Sequence, residues 1–251
     1  MENNFNSEAV EPVEETARIS TRRSFIKLSS AAALTAFAFG ALNPDLLSAK
    51  TAFLGLPVDD DDNKMRSVEL GKGDFGVLNY AYALEQLEAA FYTQVIATPY
   101  SGMTSEERAI LTDIRDNEVA HREFFKAALD KKAIPALQVN FTTIDFNSRN
   151  SVLNTARTFE DTGVSAYNGA GQLLKNPAFL LIAGKIVSVE ARHVATIRDL
   201  LQPNSAYFSG DDVTDPATGL DKARLPAEVL PLVAPYIRTQ VTANKLPKPK
   251  A

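Results

Sequence analysis

The chain has 251 residues, enough for one well-packed domain with appended segments. Hydrophobic residues make up 45% of it and charged residues 23%, as in ordinary globular proteins that bury a sizeable core. The net charge of -5 and the absence of a basic patch argue against a nucleic-acid partner, and the absence of cysteine excludes disulfides, thiolate zinc sites and iron–sulfur clusters.

The N-terminal region, residues 1–49, has the features of a twin-arginine export signal. Arg22 and Arg23 precede an apolar run over residues 31–42, which is short for a membrane span. The best cleavage position follows Ala49, and an uncleaved signal would be the chain's one attachment to a membrane. We therefore predict a periplasmic or otherwise extracytoplasmic protein, exported in the folded state.

Residues 50–70 have the composition of an acidic linker. They include Pro57 and four consecutive aspartates at 59–62. Such a run is usually solvated, and it lacks the spaced ligands of a calcium loop. We predict a disordered linker here.

Two long helices are predicted next, as a hairpin. The first begins near Asp74, a residue suited to an N-cap, and ends before Pro99. The second opens with a capping box of Thr104 and Glu107 and continues to about Lys132.

A polar and aromatic interval over residues 133–150 separates this hairpin from a second one. The third helix extends to about Lys175. Asn176 then supplies an N-cap, and Pro177 suits the first position of a fourth helix that ends at Leu201.

The C-terminal region, residues 203–251, differs in character from the helices before it. A turn-rich loop leads to a short fifth helix that opens at Leu225 and ends near Thr242. The lysine- and proline-rich tail from Lys245 onward is predicted to be disordered.

One pattern occurs twice in the four long helices. Each hairpin carries a glutamate on its first helix and a Glu-x-x-His motif on its second, and these motifs contain the only two histidines of the chain. The residues are Glu85, Glu118 and His121 in the first hairpin and Glu160, Glu190 and His193 in the second. The pattern indicates an internal repeat of two helical hairpins.

Helical phase places all four glutamates within apolar stripes that must face a core. A lone buried carboxylate costs roughly several kcal/mol unless it is paired or bound to a metal. Four carboxylates and two imidazoles that converge in one core need a shared countercharge, which a pair of divalent metal ions supplies. These ligand types suit iron or manganese.

Four neighbouring residues have more than one interpretation. Glu88 competes with Glu85, but it lies at the edge of the stripe, so Glu85 is preferred. Asp161 is predicted to support a ligand or to be solvated. Tyr92 follows Glu85 by two helical turns, and Tyr167 follows Glu160 by the same interval. Both tyrosines could hydrogen-bond ligands, relay electrons or simply pack in the core.

The six glutamate and histidine residues resemble the di-iron signature of the ferritin-like superfamily. The resemblance covers roughly residues 70 to 202, and in particular it points to an exported bacterial branch that is related to plant desiccation-associated proteins. The segments that carry it are LNYAYALEQLEAAFY, DNEVAHREFF, TFEDTGVSAYNGAG and VSVEARHVATIRDLL.

The resemblance implies an all-α fold, a ferritin-like four-helix bundle over residues 71–202 with a long crossover between the second and third helices. It also implies a division of the ligands. Glu118 and Glu190 would bridge two metal ions, and the remaining residues would complete each ion in pairs, Glu85 with His121 and Glu160 with His193.

Three functions are compatible with such a site. The first is a di-iron oxidoreductase of ferroxidase or peroxidase type, which would use two iron ions to act on dioxygen or peroxide. The second is a catalase with manganese in place of iron. The third is a non-catalytic, metal-stabilised protein of the stress or desiccation response. A homo-oligomer is compatible with all three, whereas an iron-storage cage is less favoured because nothing in the appended segments suggests a shell.

Overall fold

The computed structural model describes residues 67–249 of the chain. Its helices and strands are β1 (Ser67–Glu69), α1 (Gly73–Ala97), α2 (Ser105–Leu129), α3 (Arg149–Gly171), α4 (Pro177–Leu201), α5 (Pro226–Val233) and β2 (Gln240–Thr242), with short 3-10 turns at Asp130–Lys132, Ala206–Ser209 and Ala234–Tyr236. The predicted all-α four-helix bundle with a short C-terminal helix is confirmed. The predicted export signal and the aspartate run lie outside the described residues. Within residues 67–249, no helix is both long and apolar enough to cross a membrane.

The starts of α2 and α4 follow the predicted capping chemistry. The backbone N–H of Glu107 donates to Thr104 Oγ1 at 3.0 Å, and the N–H of Thr104 donates back to Glu107 Oε2 at 3.0 Å. At α4, the side chain of Asn176 accepts from the N–H of Ala178 at 3.0 Å, with Pro177 in the first turn. Each cap satisfies a backbone donor that the helix itself leaves free.

Asp74 differs from the expectation that it caps α1. The N-cap of that helix is Lys72, and its side chain makes no capping hydrogen bond. The carboxylate of Asp74 instead accepts from the backbone N–H groups of Lys175 and Asn176, both at 2.9 Å. It therefore ties the turn between α3 and α4 to the start of α1, a long-range role that local sequence does not indicate.

Side-chain contacts determine how the helices run. Tyr92 on α1 meets Glu160 on α3, and Tyr167 on α3 meets Glu85 on α1, so these two helices are antiparallel. Because α1 and α2 form a hairpin, α2 runs parallel to α3. The connection over residues 133–148 must then return along the bundle, whose 25-residue helices span about 37 Å. The 16 residues of this connection would reach about 50 Å when fully extended, so the connection is long enough to be the crossover.

The start of the crossover covers the outer side of α1. Asn79 donates to the carbonyl of Lys132 at 2.9 Å and accepts from the N–H of Ile134 at 2.9 Å. Gln86 accepts from the N–H of Leu137 at 2.8 Å. Because these buried amides pair with the crossover backbone, α1 is buried on nearly all of its sides.

The C-terminal extension crosses α3 at a glycine. A Cβ atom at Gly169 would lie 1.9 Å from the carbonyl oxygen of Arg224, a distance that no side chain permits. The N–H of Arg224 donates to the carbonyl of Ser165 at 2.8 Å, which holds the crossing in place. Gly169 is therefore required where an extended segment passes directly over a helix.

The fifth helix is shorter than predicted. It ends at Val233, whereas the apolar pattern suggested an end near Thr242. A 3-10 turn that contains Pro235 follows, and proline cannot donate the backbone hydrogen bond that a continuing helix needs.

A two-stranded parallel sheet joins the two ends of the described region. Ser67 pairs with Gln240 and Glu69 with Thr242. The last residues of the predicted linker are therefore part of the fold, and so is Leu246 of the predicted disordered tail, which packs against the core. Strands of three residues have no detectable period, so the sequence did not indicate this pairing.

Arg198 connects the extension to the bundle. It is 0% exposed and donates to the carboxylates of Asp161 and Asp212 at distances of 2.7–3.0 Å. Asp161 was predicted to support a ligand or to be solvated, and its observed partner is this arginine. A buried guanidinium between two carboxylates is well compensated, so it fixes the loop after α4.

Candidate metal centre

The six glutamate and histidine side chains predicted from the sequence come together between the four long helices. All four carboxylates are buried, and the ligand atoms form two groups in which every atom lies within 4.8 Å of the others. The first group is Glu85, Glu118, His121 and Glu190, and the second is Glu118, Glu160, Glu190 and His193. Two glutamates are common to both groups. That the groups bind metal remains a prediction.

The two histidines point their Nδ1 atoms toward the shared centre. His121 Nδ1 lies 2.9 Å from Glu190 Oε1 and 3.4 Å from Glu85 Oε2. His193 Nδ1 lies 2.7 Å from Glu118 Oε1 and 3.5 Å from Glu160 Oε2. His121 Nδ1 also lies 3.7 Å from Glu118 Oε2, and His193 Nδ1 lies 3.5 Å from Glu190 Oε2. Each imidazole thus approaches both shared glutamates and the glutamate on the first helix of its own hairpin.

The two tyrosines cross between the hairpins. Tyr92 donates to Glu160 Oε1 at 2.6 Å, and Tyr167 donates to Glu85 Oε1 through a very short hydrogen bond. Of the three roles considered for these residues, hydrogen bonding to the site is observed. The sequence placed each tyrosine on the same helix face as the glutamate of its own hairpin. The antiparallel packing of α1 and α3 shows that each tyrosine instead donates to the glutamate of the other hairpin.

Eight atoms of the site are buried without a well-aligned hydrogen bond, although Nδ1 of each histidine lies within 3 Å of a glutamate oxygen. They are one oxygen each of Glu85 and Glu160, both oxygens of Glu118 and Glu190, and Nδ1 of His121 and His193. The described residues contain twelve such side-chain atoms, so most of them are in this one place. Buried polar atoms are nearly always paired, and eight electron-pair donors in two groups of four fit two metal ions.

Burial and mutual repulsion change the acidity of these groups. Burial raises the pKa of Glu85 well above its usual value and that of Glu160 to about 8, although the nearby histidines oppose both shifts. Burial alone would lower the pKa of His121 and of His193, but the charges of Glu85 and Glu160 raise both. Burial would also raise the pKa of Glu118, yet the two histidines hold it at about 2. Without metal, the site therefore retains extra protons that cations would displace.

Glu88, the competitor of Glu85, is buried but belongs to neither group. A Cβ atom at Gly163 would lie 3.0 Å from Glu88 Oε1, so this carboxyl faces α3 at a glycine. Burial, and then the charges of the four glutamates of the candidate site, raise the pKa of Glu88 well above its usual value. Burial thus favours the neutral form of Glu88, and the carboxylate that belongs to the ligand groups is that of Glu85.

Asn117 is a neighbour of the site that sequence reasoning missed. Its side-chain Nδ2 lies 3.1 Å from His193 Nε2, to which it can donate when the ring proton is on Nδ1. Metal binding at Nδ1, which faces the glutamates, would place the proton on Nε2, and the amide would then have to turn so that its oxygen accepts that proton. In the repeat, Val189 occupies the corresponding position before Glu190 and offers no such bond. The one signal in the sequence was a polar residue directly before Glu118.

Comparison with known proteins supports the fold. No curated protein matches this chain. A family profile described as a ferritin-like domain matches residues 73–203, which include all four long helices and are slightly more than half of the sequence. The chain therefore belongs to the ferritin-like domain family.

Proposed function

We propose that this protein binds two iron ions and uses them to consume dioxygen or peroxide. The observation that supports this proposal is the set of eight buried ligand atoms that lack a well-aligned hydrogen bond and form two groups with two shared glutamates. A pair of ferrous ions can give up two electrons together, which suits the reduction of dioxygen or peroxide.

The protein's own residues would hold and orient such a pair. Glu118 and Glu190 would contribute to both ions because both belong to both groups. Tyr92 and Tyr167 fix one oxygen of Glu160 and Glu85, which leaves the second oxygen directed at the site. Preorganised ligands of this kind are characteristic of metal centres whose supporting shell is built by the fold.

Metal analysis of the full chain tests the proposal most directly. We expect two iron ions per chain in protein purified from its native compartment, and uptake of dioxygen or peroxide by the ferrous form. Glu118→Gln is the control that should bind neither ion. Protein that contains no transition metal would contradict the proposal.

The same sample distinguishes the two alternatives. Manganese together with release of dioxygen from peroxide would identify a catalase. Bound metal without turnover, and a large loss of stability when it is removed, would identify a structural role in stress or desiccation. Size-exclusion chromatography would show whether the protein forms the homo-oligomer that is compatible with each of these functions.

We also propose export through the twin-arginine pathway. Its support is the pair Arg22 and Arg23 before the apolar run at residues 31–42. Replacing both arginines with lysine should keep the protein in the cytoplasm, as fractionation of cells would show. Unchanged export of that variant would argue against the pathway.

A further inference from the structure

An apolar cavity lies beside one of the two site tyrosines. It has a volume of about 40 Å³, and all four long helices contribute to its wall. Leu84 and Ala81 line it from α1, Phe125 from α2, and Tyr167 and Ala170 from α3. Its surface is almost entirely carbon.

The cavity ends one side chain from the candidate metal centre. Tyr167 lines the cavity and also donates its hydroxyl hydrogen to Glu85. Glu85 belongs to the group that contains His121, whose side chain is 14% exposed against 6% for His193. The cavity therefore adjoins the more accessible half of the site.

The equivalent space near Tyr92 is filled by aromatic rings. The ring of Phe91 lies 5.1 Å from that of Tyr92 and 5.1 Å from that of Phe159, measured between centroids. Phe141 and Phe146 pack on Phe91 from the crossover side, both at 6.0 Å. The two tyrosines are related by the repeat, but Tyr92 packs in an aromatic cluster whereas Tyr167 borders an apolar cavity.

The lining determines which ligands the cavity can hold. No charged side chain lines it, and of its two tyrosines Tyr167 already donates its hydroxyl hydrogen to Glu85. The hydroxyl of Tyr80 is buried without a partner, so the lining offers one hydrogen bond at most, fewer than the about two to four that a buried water usually makes. A water or peroxide molecule would lose hydrogen bonds on entering, whereas a small apolar molecule would not. Apolar cavities in proteins bind xenon and similar ligands for this reason.

We propose that this cavity binds a small apolar molecule of the size of dioxygen and delivers it to the half of the site that contains Glu85 and His121. The assignment of dioxygen rests on the proposed function. The apolar lining favours dioxygen over peroxide as the molecule that approaches the site by this path.

Xenon is the probe for the cavity itself, because its binding does not require metal or turnover. Crystals of the full chain under xenon pressure should show a xenon atom between Tyr167 and Phe125. Ala170→Leu, which adds carbon inside the cavity, should lose that atom, and Ala183→Leu provides a second filling variant on α4 should the first fail to fold. Gly184→Ala is the control, since an added Cβ there meets nothing within 4 Å. A wild-type cavity without xenon would overturn the proposal.

Kinetics of the iron-loaded protein then test delivery. In the filling variants, the dioxygen-dependent rate should fall while the peroxide-dependent rate and the iron content stay unchanged. An equal fall in both rates would overturn the selection of dioxygen. Xenon binding in a protein that does not react with dioxygen would refute the proposed function and the delivery role together, and leave only an apolar ligand cavity.

Discussion

The two halves of the candidate centre contain the same ligand types in different surroundings. His193 has an amide neighbour in Asn117, and Tyr92 lies in a cluster of aromatic rings. On the other side, His121 is more exposed and Tyr167 borders an apolar cavity. The repeated ligands therefore determine what can bind, whereas residues that differ between the two hairpins determine access. We expect the His193 half to hold its ion more tightly and the His121 half to react first.

Loss of a shared ligand should weaken metal binding in both halves of the centre. Glu118→Gln removes a carboxylate that belongs to both groups, so we expect binding of both ions to weaken by more than about 100-fold. Metal analysis after dialysis would measure it. A variant that retains one full equivalent would show that Glu118 serves a single ion.

Loss of a glutamate that belongs to only one group should affect that half of the centre alone. Glu85→Gln is expected to lower the metal content from two ions to one, and Glu160→Gln should do the same in the other half. Glu88→Gln is the matched control for Glu85→Gln, because Glu88 is also buried on α1 but lies outside both groups. Loss of metal in the control would contradict the assignment of Glu85.

The stability of the metal-free protein should depend on pH through titrating groups in both halves of the centre. The pKa values of Glu85, Glu160, His121 and His193 are all raised, Glu160 to about 8, so the folded state binds more protons than the unfolded state above about pH 4.5. Stability should therefore fall as pH rises from 5 to 8.5, by an amount of the order of a few kcal/mol.

Urea denaturation at several pH values measures this effect. Bound metal should remove most of the dependence, because the ions neutralise the carboxylates in place of protons. A metal-free protein that becomes more stable at high pH would contradict the direction of these pKa shifts.

The smallest expected effect concerns the amide beside His193. Asn117→Leu should weaken metal binding by about 10-fold in the His193 half only, since a lost supporting hydrogen bond typically has an effect of that size. Val189→Ala is the repeat-equivalent control and should leave both ions unaffected. Stepwise titration with a divalent metal, followed by calorimetry, would distinguish the two halves.

The sequence predicted best what short-range chemistry determines. The four glutamates stood out because they interrupt apolar stripes, and the capping residues Thr104 and Asn176 act within their own helix turns. The repeated Glu-x-x-His spacing, helical phase and the family resemblance together selected the six residues that converge.

Contacts between distant segments were not predictable in this way. Arg198, Asn117 and Asp74 all act across helices, and nothing near them in sequence specifies the partner. The crossed tyrosine bonds also require the directions of the helices to be known. The end of α5 was placed too late because Val233 is followed by further apolar residues that enter a turn and a strand instead.

The parallel pairing of β1 with β2 has a consequence for the timing of folding. Glu69 and Thr242 are 173 residues apart, and Leu246 packs near the start of α1 beside Gly76. During translation the hairpins can assemble early, but this closing contact must wait until residues 240–246 have left the ribosome. A chain that is cut short before residue 240 should therefore stall with an open strand edge and a bare patch at Leu70, which quality-control proteases could recognise.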